Sequence, residues 1–150
     1  MRESSLWSWL ERGGRAMRPG LHMTRVEDLL AVGRPDVEAC LEGRSFVCEL
    51  KVAARPRRTT TPIRTQSPIT PEQVGWLRAR RDAGGQAWLL VQVGERHEAL
   101  RYLLAAEDVT REVALGVVEE QLAELSWTVP WVAADVLIGS MAYATHRGVT

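Results

Sequence analysis

The chain has 150 residues, of which 45% are apolar and 25% charged. These are the proportions of a single globular domain long enough to bury a real core. Its 19 cationic side chains balance 19 acidic ones, so overall charge announces neither a nucleic acid nor a membrane surface. No run approaches the roughly 18 apolar residues of a membrane span, and the N-terminus lacks the continuous apolar stretch of a secretory signal. The expected location is therefore the cytoplasm.

Residues 4–12 predict a short helix, with Leu6, Trp9 and Leu10 as its apolar stripe and Gly13-Gly14 as its end. Residues 24–31 predict a second helix, in which Thr24 and Glu27 have the spacing of a capping box. Gly33 to Lys51 holds two alternating runs around Gly43-Arg44, the pattern of a β-hairpin with glycine at the first central turn position. In that register Leu41 faces Phe46, Ala39 faces Cys48 and Val37 faces Leu50, giving one apolar face. The other face pairs Glu38 with Glu49 and Asp36 with Lys51. The two cysteines, Cys40 and Cys48, fall on opposite faces, so they should remain unbridged, as suits a reducing compartment.

About 18 residues without periodicity follow. They hold Arg55, Arg57, Arg58, Arg64 and Gln66 among threonines, and from Lys51 to Pro71 there are five cations and no acids. Long loops of this kind are usually functional or disordered, and this composition suits phosphate contacts. A merely solvated loop is the plainer alternative.

Thr70-Pro71 opens a helix running to about Asp82, with Gly84-Gly85 as its stop. Gln73 again stands at capping-box spacing from Thr70. Residues 86–93 read as a central buried strand and 98–104 as a further strand. Residues 109–125 read as one amphipathic helix, acidic on its outer face. A last apolar helix follows Pro130, either closing the core or pairing with a second copy. The whole is a mixed-sheet α/β domain of about four strands flanked by helices, with a core at about 22–104 and a helical extension at about 109–144.

The acidic face of the hairpin has a chemistry. Clustered oxygen donors suit a hard divalent cation such as Mg²⁺, which can polarise a phosphodiester. Acids and a lysine on a strand face are more often a solvated surface. Against that, Lys51 is the one lysine among 19 cationic residues, the other 18 being arginines. A compact ammonium that can give up a proton is not interchangeable with a guanidinium. Nothing supports other chemistries: there is no phosphate-binding G-x-x-x-x-G-K-[ST], no G-x-G-x-x-G, no G-x-S-x-G elbow and no zinc-site spacing of His or Cys.

Pro35-Asp36, a gap of 12 residues, then Glu49-Leu50-Lys51 resembles the signature of the PD-(D/E)xK nuclease superfamily. The Gly-x-Pro-Asp-Val opening looks like its phage and virus-type (VRR-NUC) and Holliday-junction resolvase-like members. The resemblance spans roughly residues 22–93. It implies a restriction-endonuclease-like fold and a DNA endonuclease dependent on Mg²⁺, with Mn²⁺ able to substitute, in a host cytoplasm if the protein is viral. Asp36, Glu49 and the Leu50 carbonyl would hold the metal, and Lys51 would position or activate the attacking water. Glu27 would supply the acid that the superfamily often places on the helix before the metal-binding strands, and Gln73 matches a glutamine on the helix after them. Both remain open to a purely capping role. The endonuclease so implied is phage-type and structure-selective, and two alternatives stand beside it: a Holliday-junction resolvase acting as a homodimer, and an inactive nuclease-fold DNA-binding module.

Overall fold

The structure, a computed structural model, describes residues 2–27 and 30–144. Its centre is a five-stranded sheet in sequential order: β1 (Leu21–Arg25), β2 (Val37–Leu41), β3 (Arg44–Ala53), β4 (Gln86–Val93) and β5 (Leu100–Ala105). β3 and β4 run parallel and the other neighbours antiparallel, so the expected mixed sheet is present with one strand more. A parallel pair needs a crossover, and helix α2 (Pro71–Asp82) supplies it.

The extra strand is β1, where residues 24–31 predicted a helix. Leu21 to Arg25 pairs residue for residue with Leu41 to Val37. Ladder hydrogen bonds to β2 outweigh the local capping-box pattern, because eight residues of marginal propensity cannot hold a helix alone. The rest of the predicted helix includes residues 28–29, which lie outside the described part.

The hairpin turn is Glu42-Gly43 rather than Gly43-Arg44. Both have positive φ, 52° and 87°, as a two-residue type I′ turn requires. Val37 therefore faces Cys48, and Ala39 faces Phe46. The slip is two residues, so every side chain keeps its face while its partner changes. Glu38 lies across from Val47, not Glu49. The paired register ends at Val37–Cys48, so Asp36 has no partner in the ladder and does not face Lys51 as expected.

One sheet face is covered by helix α1 (Glu3–Gly14) and the C-terminal helix. Leu6 and Leu10 of α1 are fully buried against Phe46, Leu50, Val52, Trp88 and Leu90. Each such side chain contributes about 1.5–3 kcal/mol on burial, which ties the start of α1 to β3. The other face carries α2, two short helices and the returning loop, through Leu77, Ile63, Ile69, Val113 and Leu122. The single helix predicted at 109–125 is two: α3 (Arg111–Leu115) and α4 (Glu119–Leu125). Gly116 separates them at φ 120°, and a Cβ there would lie 2.8 Å from the Ile63 carbonyl oxygen. The long loop packs into this break, and Ile63 N donates to Val117 O at 2.7 Å. Helix α5 (Ala134–Tyr143) buries Leu137, Ile138 and Met141, closing the core. Cys40 and Cys48 are unbridged. Among the described residues, no helix is long and apolar enough to cross a membrane.

Candidate active site

β3 is central and buried on both faces, which demands an apolar strand. Glu49 and Lys51 break that rule at 3% and 2% exposure. They are not the solvated face that alternation alone would give. The β2–β3 ladder ends at Val37–Cys48, so beyond it the β2 side of β3 is open. Asp36 uses that gap: its Oδ2 accepts a hydrogen bond from Leu50 N at 2.9 Å. In a strand the carbonyl leaves on the same side as its residue's amide, so the Leu50 carbonyl also faces the gap.

The Lys51 ammonium donates to Ser67 Oγ at 3.1 Å and to Pro68 O at 2.9 Å. It lies 3.5 Å from Glu49 Oε2. Gln73 holds the same carboxylate oxygen, its Nε2 donating to Glu49 Oε2 at 3.3 Å. Gln73 also completes the capping box: its Oε1 accepts from Thr70 N, and its backbone N donates to Thr70 Oγ1. Gln73 thus joins the start of α2 to the Glu49 carboxylate. Gly33 helps set this up, because the Glu72–Gln73 backbone lies so close that no Cβ would fit there. The turn before Asp36 thus packs directly on the first turn of α2.

Burial is the main cause that pushes the Glu49 carboxyl up to about 9, with the nearby Asp36 charge adding to it and Lys51 opposing it. Its Oε1 is buried with no hydrogen-bond partner. Two facing carboxylates, an orphaned carboxylate oxygen and an open carbonyl are the donor chemistry of a hard divalent cation. Asp36, Glu49 and the Leu50 carbonyl make a set of that chemistry, two carboxylates and one carbonyl. No group of three or more His, Cys, Asp or Glu side chains forms a metal cluster among the described residues.

The sequence reading missed Glu3. At the first turn of α1, its Oε1 accepts from Ser67 Oγ at 2.6 Å, the hydroxyl that Lys51 also contacts. Its charge reaches Glu49 as well. The resemblance implies an acid at Glu27, on a helix before β2 and β3, but α1 is the helix that precedes them in the described chain. Glu27 instead follows the end of β1, exposed, next to Val26, whose N donates to Asp36 O at 2.7 Å. Among the described residues no hydrogen bond or ion pair joins Glu27 to Glu49 or Lys51. The signal for Glu3 was its place at the start of an amphipathic helix, and misreading β1 as helix hid it.

The basic loop divides. Arg55 is engaged internally: its guanidinium clamps Glu119 at 2.9 and 3.0 Å and donates to the carbonyls of Val93 and Glu98. Arg57 and Arg58 are exposed and line a cleft of about 680 Å³ with the loop threonines. Arg64 and Gln66 are exposed too, while Gln66 N donates to Val52 O, returning the loop beside the end of β3. Glu38 forms a surface ion pair with Arg34 at 3.2 Å, and His22 is exposed on β1.

No protein-family model and no curated protein matches the chain. Among solved structures it is similar to Archaeoglobus fulgidus Hjc, described as a Holliday junction resolvase from an archaeal hyperthermophile. The two share 15% identity at a TM-score of 0.53, over 91% of this chain and 99% of that one. At that identity the likeness concerns the fold, and the chain has the restriction-endonuclease-like α/β fold of that resolvase.

Proposed function

We propose that the chain is a metal-dependent DNA endonuclease of the PD-(D/E)xK type that selects its substrate by structure. One observation carries this reading: Asp36, Glu49, Lys51 and Gln73 converge at the point where β2 and β3 part, with Glu49 and Lys51 buried. Burying a carboxylate with an unpartnered oxygen is costly, and a fold keeps such a group where a ligand compensates it.

In this reading Asp36, Glu49 and the Leu50 carbonyl hold Mg²⁺, or Mn²⁺ in its place. The cation, when bound, offsets both carboxylates and polarises the phosphodiester. Gln73 fixes the Glu49 carboxylate by one oxygen and leaves the other for the cation. Ser67 and Pro68 hold the Lys51 ammonium, which presents a proton at Nζ toward the attacking water or a phosphate oxygen. Glu3 accepts from Ser67 and so steadies the hydroxyl that meets Lys51. Arg57, Arg58, Arg64 and Gln66 meet the DNA backbone. Incubation with linear, supercoiled, flapped and four-way-junction DNA, with Mg²⁺ or with EDTA, tests it. Mg²⁺-dependent cleavage of any of these supports the reading. Intact DNA throughout, with tight binding, marks an inactive nuclease-fold module.

A second reading is favoured by the fold likeness to a Holliday junction resolvase. Cutting two strands symmetrically calls for two active sites, hence a homodimer. Paired nicks across a four-way junction by a species of twice the chain mass would select it over a structure-selective endonuclease acting as a single chain.

A further inference from the structure

A second polar concavity, of about 430 Å³, lies on the α1 face of the sheet. Its floor is Gln92, and Gln92 pairs with Val52, the residue after Lys51. It therefore sits at the same end of the sheet as the carboxylates, on the opposite face. Its wall is α1, where Ser5, Trp9 and Arg12 line it at helical spacing. Glu3, which meets Ser67, is on the first turn of that same helix.

The cleft is built around Arg101. Its guanidinium lies 3.7 Å from the centroid of the Trp9 ring, and its Nε donates to Gln92 Oε1 at 3.0 Å. Gln92 is buried, and its own Nε2 donates to Gly94 O, so the amide that orients Arg101 is itself fixed. Burial alone lowers the Arg101 guanidinium to about 10, and no carboxylate raises it again. Its neighbours in the cleft include Arg12 and Arg96, against one acid, Glu95. Arg96 is held at φ 55°, a conformation that non-glycine residues rarely adopt. A pre-oriented, partly desolvated guanidinium among further arginines is arranged for an oxyanion, and its planar fork suits a phosphate bidentately.

We propose that this cleft is a phosphate-binding site, in which Arg101, supported by Arg12 and Arg96, takes a backbone phosphate of the nucleic acid strand held at the carboxylate cluster. It rests on the nuclease reading for the identity of the strand. It extends the interface to a face of the sheet that the basic loop does not reach. Trp9 holds the guanidinium plane and does not read a base, so the contact is independent of sequence.

The test is duplex and four-way-junction binding against salt concentration, with Ca²⁺ in place of Mg²⁺. The variants are Arg12→Gln, Arg96→Gln and Arg101→Lys, with Arg44→Gln at the hairpin tip as control. Each glutamine variant in the cleft should lower the slope of log affinity against log salt by about one contact, equally across sequences. Arg101→Lys keeps the charge but loses the fork, and should weaken binding at least tenfold with little change in slope. Arg12 and Arg96 are exposed, so their variants stay informative if the Arg101 variant fails to fold. Slopes and affinities matching the Arg44→Gln control would overturn the proposal. So would inorganic phosphate binding to the cleft undisturbed by saturating duplex, which would mark a separate small-anion site. Cleft variants that weaken binding of a wild-type protein that cuts no DNA would keep the site and remove the nuclease reading.

Discussion

The Lys51 ammonium lies 3.5 Å from the Glu49 carboxylate, with both side chains at 4% exposure or less. An ammonium and a carboxyl so enclosed seldom stabilise a fold, because desolvation offsets most of their attraction. Its persistence points to chemistry. If Nζ must both fit between Ser67 and Pro68 and carry a movable proton, a guanidinium cannot replace it. Lys51→Arg is expected to lose activity nearly as fully as Lys51→Ala, by roughly a hundredfold or more, with metal and DNA binding largely kept. Single-turnover cleavage at saturating Mg²⁺ measures this. Near-normal rates in the arginine variant would show that charge alone suffices.

Glu49 makes the metal-free protein sensitive to alkali. Its carboxyl is raised from the ordinary 4.5 to about 9, so between those values the native state holds a proton that the unfolded chain has released. Stability then falls as pH rises through that window, and is greatest below about 4.5 as far as this group is concerned. In EDTA, unfolding midpoints in urea should decline from pH 5 to pH 9. Glu49→Gln should flatten the decline and gain on the order of a few kcal/mol at pH 9. Excess Mg²⁺ should restore wild type at high pH and leave the glutamine variant unmoved. Parallel profiles for the two proteins would remove Glu49 as the titrating group.

Gln73 serves two structures, and Thr70 separates them. Thr70→Ala removes the N-cap and should cost about 1 kcal/mol of stability with cleavage retained. Gln73→Ala loses the reciprocal cap bond and also frees Glu49 Oε2. It should cost a similar stability but lower divalent-ion affinity as well. Calorimetric Mn²⁺ titration of both variants distinguishes the roles, and equal affinities would reduce Gln73 to a cap.

Arg55 and the Arg57–Arg58 pair should behave oppositely. Arg55 holds Glu119, which also accepts from the Tyr102 hydroxyl at 2.6 Å, so Arg55→Ala should cost about 1–3 kcal/mol of stability. Arg57→Gln with Arg58→Gln should leave stability unchanged and reduce the salt slope of DNA binding by up to about two. An unchanged slope would make that stretch a solvated loop.

Asp36, Glu49 and Lys51 were legible because strand alternation has a period of two. The true turn at Glu42-Gly43 moved the register by two residues, and so the same side chains stayed on the same face. The lone lysine was legible as well, since composition needs no coordinates. The loop at Arg55 to Gln66 and the helix from Pro71 were legible from turn and cap chemistry, which acts within a few residues.

Long-range contacts decided the rest. Whether residues 21–25 are strand or helix depends on β2 offering a ladder, which no local window contains. The break at Gly116 depends on the Ile63 carbonyl, more than fifty residues away in the chain. Charge counts could not tell Arg55 from Arg57, because the difference is Glu119. Above all, Glu3 reaches the site only because Leu6 and Leu10 lay α1 across β3 and Ser67 returns to meet it. Local propensity and alternation are written residue by residue. Which distant carboxylate shares a hydroxyl with Lys51 follows from how a helix packs on a sheet, and packing is a property of the whole chain.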